Sequence, residues 1–170
     1  MGLILLFSLL TQENHMKVPL KAAGFAALLF VSLSLCAVSA QARDDKHLLP
    51  IKDAIELGKK QEGKWHLDDS VAFYFGDQSH PAVAEALTKG VITNKKTNAA
   101  NKSDEEACNY AMVSALLQLQ ERARSEGGNA VINIESYFKK ISFKSNDQFE
   151  CHAGSIMAGV ALRGDVVKLK

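Results

Sequence analysis

Two cysteines, Cys108 and Cys151, constrain the fold of this chain more than any other feature of its sequence. A third, Cys36, lies in an N-terminal apolar segment that has the pattern of an export signal. If that segment is removed on export, two cysteines remain. An even number of cysteines in an exported chain predicts a disulfide. The bridge would close a loop of about 42 intervening residues, which the chain-entropy treatment values at roughly 4 kcal/mol. Free thiols, or a metal site that His152 joins, remain the alternatives.

Residues 16–42 have the layout of a secretory signal peptide. Two lysines precede an apolar run at 22–38, and small residues place cleavage near Ala40 or Ala42. A membrane anchor is the alternative, but no aromatic belt or stop-transfer cluster follows the run. We therefore predict a periplasmic or secreted protein with no stable membrane anchor after cleavage.

Two further features concern this N-terminal segment. Residues 1–15 place a second apolar run ahead of the signal, which indicates an upstream start and makes Met16 the initiator. Cys36 is a rival lipidation site, but Leu35 stands where a lipobox has a small residue. We predict that Cys36 is removed with the signal peptide.

The stretch GKKQEGKW at 58–65 raises the question of nucleotide binding. Its first seven residues fit the phosphate-binding loop, but Trp65 replaces the hydroxyl that holds Mg²⁺. Residues 51–57 have helical spacing and are predicted to end at Gly58, and a strand is predicted at 71–75. A phosphate loop follows a strand and opens a helix. The order here is the reverse, so we predict no ATP binding.

The remainder of the N-terminal part, residues 43–102, has weaker patterns. Residues 43–47 read as a charged leader, residues 82–87 as a short helical or irregular stretch, and residues 90–93 as a short strand. Residues 94–102 read as a polar loop. We interpret the lysines of that loop as solvated, with an anion-binding patch as the alternative. The net charge of +1 provides no global basic field to recruit nucleic acid.

The C-terminal part, residues 103–170, is predicted as a helix followed by strands. Ser103 and Glu106 form a capping box, and the Gly127-Gly128 pair ends the helix near Ser125. Strands are predicted at 129–138 (with an extension at 141–143), 149–162 and 166–169, with a turn at 163–164. We predict an α+β fold of two layers, in which one long helix packs on a small, mainly antiparallel sheet.

Several residues of this part carry a family resemblance. They are Cys108 in the first helical turn, the strand entry GGNAVI at 127–132, and a cysteine-bearing strand of small residues that ends GVAL at 159–162. The segment 108–162 resembles the C-terminal domain of the Rcs stress sensor lipoprotein RcsF and the wider YbjQ-like group. The resemblance implies a helix-to-strand bridge and an envelope protein partner. Members of that family have a lipidated cysteine and two bridges, whereas this chain can form one.

The chain is also similar to small exported bacterial proteins that carry the name excinuclease ATPase subunit. The shared stretches are KDAIELG, FYFGDQ-x-HP, TNKKTNA and ECHAG. An ATPase of nucleotide-excision repair needs intact phosphate loops, acidic Mg²⁺ ligands and zinc-binding cysteine pairs. The sequence has none of these motifs, so we predict that such a name misdescribes this chain.

Candidate catalytic groups are few. His80 lies near Asp77 as an acid–base pair would, but a histidine before proline in a turn is typical of a surface. Ser155 lacks the G-x-S-x-G pattern of a nucleophile elbow. The aromatic residues Trp65 and 73–75 are interpreted as core rather than as an exposed recognition patch. We predict no catalytic residue and no cofactor.

Two classes of function remain. The first is a non-enzymatic binding or envelope-sensing module that acts through a protein partner. The alternative is a metal or small-ligand binder that uses His80 or His152, since the YbjQ-like group has been labelled as heavy-metal binding. Cys151 and His152 point to opposite faces of a strand and would need a bulge to share an ion. An unrecognised hydrolase is a third and more distant class.

Overall fold

Two helices and six strands make up residues 43–170, the part of the chain that this computed structural model describes. The predicted upstream start at 1–15, the signal peptide at 16–42 and Cys36 lie outside the described residues. The strands are β1 (Asp45–Pro50), β2 (Ala72–Phe75), β3 (Val83–Asn98), β4 (Ala130–Ser136), β5 (Gln148–Ala153) and β6 (Met157–Leu169), and the helices are α1 (Ile51–Lys60) and α2 (Asp104–Ser125).

All six strands belong to one sheet, and β6 is its central strand. One side of β6 pairs with β3, and the other pairs first with β5 and then with β4. β1 extends the sheet beyond β5, and β2 extends it beyond β4. Every pair is antiparallel except β2 with β4. The predicted α+β class with a mainly antiparallel sheet is therefore confirmed.

Helix α2 has the bounds that its local signals predict. The Ser103 side chain accepts a hydrogen bond from the amide of Glu106 at 3.1 Å, and Gly127 follows the helix with φ +75°. Ten residues of the helix are buried, and the hydrophobic ones among them belong to the same core cluster as residues of β5 and β6. The tight caps and the broad apolar surface explain why this element is the longest helix of the fold.

Helix α1 continues to Lys60 instead of ending at Gly58 as predicted. Gly58 is buried, and a Cβ atom at this position would lie 3.0 Å from Cβ of Leu67 and 3.3 Å from Cγ1 of Val113. The glycine thus permits close packing of α1 on the segment after it and on α2. Its small size, and not a helix-ending conformation, is what the fold uses.

A disulfide joins Cys108, in the first turn of α2, to Cys151 on β5, with a Cα–Cα distance of 5.8 Å. Both cysteines are fully buried. The predicted pairing is the one found in the structure. The bridge ties the helix to the side of the sheet that carries β5 and β1.

The prediction for residues 82–102 was wrong in two places. β3 runs unbroken from Val83 to Asn98, through the stretch predicted as helical and into the stretch predicted as a polar loop. β6 provides the reason, because it pairs with β3 from Val83 opposite Leu169 to Asn98 opposite Met157. Long-range pairing overrides the weak local preferences of these residues. The charged leader is likewise wrong, because residues 45–50 form β1.

The predicted strand 149–162 is two strands. The chain turns at 154–156 between β5 and β6. β6 then continues straight through residues 163–164, which were predicted as a turn. Gly164 is buried, and a Cβ atom there would lie 2.9 Å from Cγ1 of Val131. This glycine permits close approach to β4.

Phe143 forms one isolated bridge with Ser136, where a strand extension at 141–143 was predicted. Within residues 43–170, neither helix is long and apolar enough to cross a membrane.

Candidate functional site

An open groove lies along α2, and we call it the Trp65 groove. Two cavities of about 260 and 420 Å³ form it, and both are lined by Trp65 and Ser114. The helix provides the floor with Val113 and Leu117. One wall is the turn that carries Trp65, and the other is the end of β3 at residues 95–97. An apolar floor between polar walls is typical of a binding surface.

The Trp65 wall is held rigidly. Trp65 ends a short 3₁₀ turn, Gly63–Trp65, in which Gly63 has φ +60°. After the turn, Leu67 is buried and its amide donates to the carbonyl oxygen of Gly58 at 3.0 Å. Arg124 of α2 then binds Asp68. Trp65, which is 50% exposed, is thus carried on a turn that is anchored at both ends, and such anchoring lowers the entropy cost of binding a partner.

The other wall is an open strand edge. β3 pairs with β6 along one side, and no further strand within residues 43–170 pairs with the other. Lys95, Lys96 and Thr97 all line the groove. Successive side chains of a strand alternate between faces, so three consecutive residues line one groove only at the strand's edge. Backbone amide and carbonyl groups of β3 therefore face the groove without strand partners.

Unpaired positive charge surrounds this edge. Among residues 43–170, six lysines form ion pairs. None of the four lysines that line the groove belongs to that set. One carboxylate, Glu121, lines the groove, and it forms no ion pair with the described residues. The lysines of the groove are Lys64, Lys95, Lys96 and Lys102.

A second polar cluster surrounds His152 on β5. Its Nδ1 lies 2.8 Å from a carboxylate oxygen of Asp44, and its Nε2 lies 2.9 Å from one of Glu150. Phe138 stacks on the imidazole with ring centroids 3.6 Å apart. Both ring nitrogens of His152 therefore lie within hydrogen-bonding distance of a carboxylate of the same molecule. The structure places this sequence-based metal candidate in a polar cluster that joins β5 to the residue before β1.

The electrostatics of this cluster favour charged carboxylates. Hydrogen bonds from Lys139 and then from His152 hold the pKa of Asp44 below its usual value. Burial acts to raise the pKa of Glu150, but the bonds from Lys46 and His152 together outweigh it and leave that pKa lowered. The cluster stabilises the start of β1 against β5.

A third cluster contains Asp45, His47 and Asp104, whose ligand atoms lie within 4.8 Å of one another. Nε2 of His47 lies 3.2 Å from a carboxylate oxygen of Asp104. Arg43 binds Asp45 at 2.6 Å and also binds Asp104, and the hydrogen bond from Arg43 lowers the pKa of Asp104. The guanidinium therefore already supplies the positive charge that an ion would provide.

The remaining sequence candidates do not converge on one site. Nδ1 of His80 donates to the carbonyl oxygen of Pro81 at 2.8 Å, and Asp77 pairs with Lys144 instead of His80. Ser155 is exposed on the turn between β5 and β6. It lines the same cavity as His152, but the carboxylates already engage both nitrogens of that ring.

The phosphate-loop resemblance has a structural explanation. Gly58 lies inside α1 and Gly63 in the turn that presents Trp65. The turn follows a helix, as the sequence predicted. The two glycines serve helix packing and the turn, and the next element after this turn is strand β2, whereas a phosphate loop leads directly into a helix.

The sequence analysis predicts only part of the Trp65 groove. Trp65 was grouped with 73–75 as core, but Phe75 is buried while Trp65 is half exposed. For the lysines of residues 94–102, the sequence leaves an anion-binding patch as the alternative to a solvated loop. What the sequence could not reveal is that these lysines lie on a strand edge opposite Trp65.

Fold and groove together describe a small α+β domain with an open edge strand. No family model, curated protein or solved structure matches the chain.

Proposed function

We propose that this protein is a non-enzymatic binding module of the bacterial envelope that engages a protein partner through the Trp65 groove. The observation that carries the proposal is the half-exposed Trp65 opposite the open edge of β3. Tryptophan on a rigid support is a common anchor of protein interfaces, and an unpaired strand edge is a ready template for another chain. In an envelope-sensing role, which is one version of this proposal, binding of the partner would report a change in the envelope.

The proposed location is periplasmic or secreted. The buried Cys108–Cys151 disulfide supports it, because disulfides persist in oxidising compartments. The signal-peptide pattern at 16–42 supports it from the sequence. Fractionation of cells that express the full chain tests the location, and a reduced protein in the cytosol would contradict it.

The proposed architecture is two-layered and similar to the RcsF and YbjQ-like domains. The helix-to-strand bridge and the core that α2 shares with β5 and β6 support this assignment. The proposal excludes ATP and nucleic acid as ligands, because Trp65 replaces the Mg²⁺-binding hydroxyl and the net charge is near neutral.

Site-specific photocrosslinking tests the binding function. A photoreactive amino acid replaces Gln118, which is exposed in the groove, and in a control it replaces Lys52, which is exposed on α1. In cells of the native host, we expect a discrete adduct at position 118 that Trp65→Ala removes. Adducts of equal intensity at both positions, or none at 118, would contradict the proposal.

Metal binding is the second candidate function, and the Asp45–His47–Asp104 cluster is the observation that favours it. Carboxylate and imidazole groups at this spacing suit a divalent cation, which would have to displace Arg43 from both carboxylates. Elemental analysis of the purified protein tests it. A stoichiometric ion that His47→Gln removes would favour metal handling over partner binding.

A further inference from the structure

The open edge of β3 specifies the conformation of its partner. The pairing register of β3 with β6 contains no shift between Val91 and Asn98, so this stretch is a regular edge. On a regular strand, alternate residues direct both their amide and their carbonyl away from the paired neighbour. An extended peptide satisfies these groups by strand addition, whereas a helix or a folded surface does not.

The charges of the groove specify the composition of that partner. Four lysines without ion pairs line it against the single carboxylate of Glu121. A second copy of this chain is a poor occupant, because pairing two β3 edges would bring Lys95 and Lys96 of both copies together. Like charges on adjacent strands are destabilising. The lysines thus oppose self-association and favour an acidic segment.

The floor of the groove specifies the side-chain pattern. A strand added to β3 would direct alternate side chains toward α2, where Val113 and Leu117 provide apolar contacts beside Trp65. Its other side chains would point outward on the face of Lys96, which is exposed. Lysine carries its charge on a flexible four-carbon stem, so the other lysines at the rim of the groove can also reach acidic residues on that face. Apolar and acidic residues should therefore alternate.

From these three features, we infer that the partner binds as an extended segment of alternating apolar and acidic residues, which adds as a strand to β3 between Val91 and Asn98. This inference rests on the proposed binding function. It specifies the chemistry of the partner, which the photocrosslinking experiment leaves open.

Trp65 is the only tryptophan of the chain, so its fluorescence reports directly on the groove. The probe is an acetylated octapeptide of alternating valine and glutamate, titrated into the oxidised protein. We expect a saturable change in emission. The paired variant Lys95→Glu/Lys96→Glu should weaken binding about tenfold or more. The matched control is Lys89→Glu, an exposed position of the same strand outside the groove, and it should bind like the wild type.

Two further peptides separate strand addition from simple attraction between charges. One is N-methylated at its valines and the other at its glutamates. Both keep the charge, but each loses the amide donors along one edge. For a strand bound in one direction, one of the two should lose binding about tenfold or more because its methyl groups face β3. A peptide of alternating valine and lysine should bind the charge-reversed variant and not the wild type.

Equal binding of all three acidic peptides would overturn strand addition. Binding of phosphatidylglycerol vesicles, with the same dependence on Lys95 and Lys96 and with no peptide bound, would replace the peptide by an anionic membrane surface. If neither probe binds while the crosslink at position 118 persists, the inference fails and the proposed function stands. If the crosslink is also absent, both fail. Thermal melts of every variant establish that it is folded.

Discussion

The β1 and β3 edges of this sheet differ in whether their charged side chains form ion pairs within the molecule. β1 is short, and the charged groups on and beside it bind partners within the molecule: Lys46 binds Glu150 at 2.6 Å, and Arg43 binds Asp45 and Asp104. β3 is sixteen residues long, and Lys95 and Lys96 form no ion pair within residues 43–170.

The comparison teaches that charged side chains can have two different roles at a strand edge. They can attach the strand to the rest of the fold, or they can remain available for an outside partner. Edge strands carry unpaired backbone groups, and proteins protect them with charged side chains. At β1 the charges neutralise one another and attach the strand to β5 and to α2. At β3 they have no partner within residues 43–170, and in our proposal they oppose pairing with a second copy of the chain and attract an acidic partner. Each of the following experiments changes one side of this contrast.

Removal of the disulfide should have the largest effect. The double variant Cys108→Ala/Cys151→Ala should lose about 4 kcal/mol of unfolding free energy, because the denatured chain regains the entropy of the closed loop. Urea unfolding of the oxidised wild type and of the variant measures the loss. Reduction of the wild type under mild denaturant serves as the control and should give a similar loss. Equal midpoints for all three would show that the bridge contributes nothing.

Overpacking beneath the Trp65 wall should have the next largest effect. Gly58→Val would place side-chain atoms against Leu67 and Val113, so we expect a loss of about 2 kcal/mol and a shift in Trp65 emission. Lys60→Val is the matched control, because it adds the same side chain at an exposed position of α1. Chemical denaturation followed by fluorescence gives both readouts. If the control loses as much as Gly58→Val, helix propensity rather than packing is responsible.

Neutralisation of one lysine on each strand compares the two edges directly. Lys46→Gln removes the partner of Glu150, whose side chain is 10% exposed, and should cost about 1 kcal/mol because a carboxylate near the interior loses an ion pair. Lys96→Gln should change stability by less than about 0.5 kcal/mol, as surface substitutions usually do. Urea midpoints of the two variants test the contrast. A larger loss for Lys96→Gln would mean that the β3 edge, and not β1, depends on its charges.

Acid should reduce the effect of Lys46→Gln on stability, which is the smallest change expected in this series. The lowered pKa of Glu150 means that its pairing stabilises the fold above the unfolded pKa of about 4.3. This stabilisation is lost as the pH falls through the folded value. The gap between wild type and Lys46→Gln should therefore be smaller at about pH 3 than the roughly 1 kcal/mol expected at pH 6. Unfolding curves at the two pH values measure it, and a gap that persists in acid would assign the effect to packing of the lysine stem.

Local signals explain which elements could be predicted from the sequence. The capping bond of Ser103 and the left-handed Gly127 depend on neighbours a few residues away, so α2 was predicted correctly. The pairing of Cys108 with Cys151 followed from the small number of cysteines. In both cases, few alternatives compete with the observed arrangement.

β3 shows where such reasoning fails. Residues 82–87 read AVAEAL and residues 94–102 are polar, so each has a local preference other than strand. Their pairing with β6 depends on residues more than fifty positions away. The exposure of Trp65 is equally non-local, because it depends on how the turn after α1 packs on α2. The groove is formed by these two elements, and this is why the sequence pointed to its lysines but not to its shape.

The central position of β6 determines when this fold can form. β3, β4 and β5 all pair with β6, yet all three precede it in the chain. As the polypeptide emerges from the ribosome or from a translocation pore, these three strands are synthesised before β6 and cannot yet form their pairs with it. Contacts this distant in sequence make folding slow. The pairs of β1 with β5 and of β2 with β4 do not involve β6, but only β6 joins them to each other and to β3. The complete sheet can therefore assemble only after this last strand has emerged.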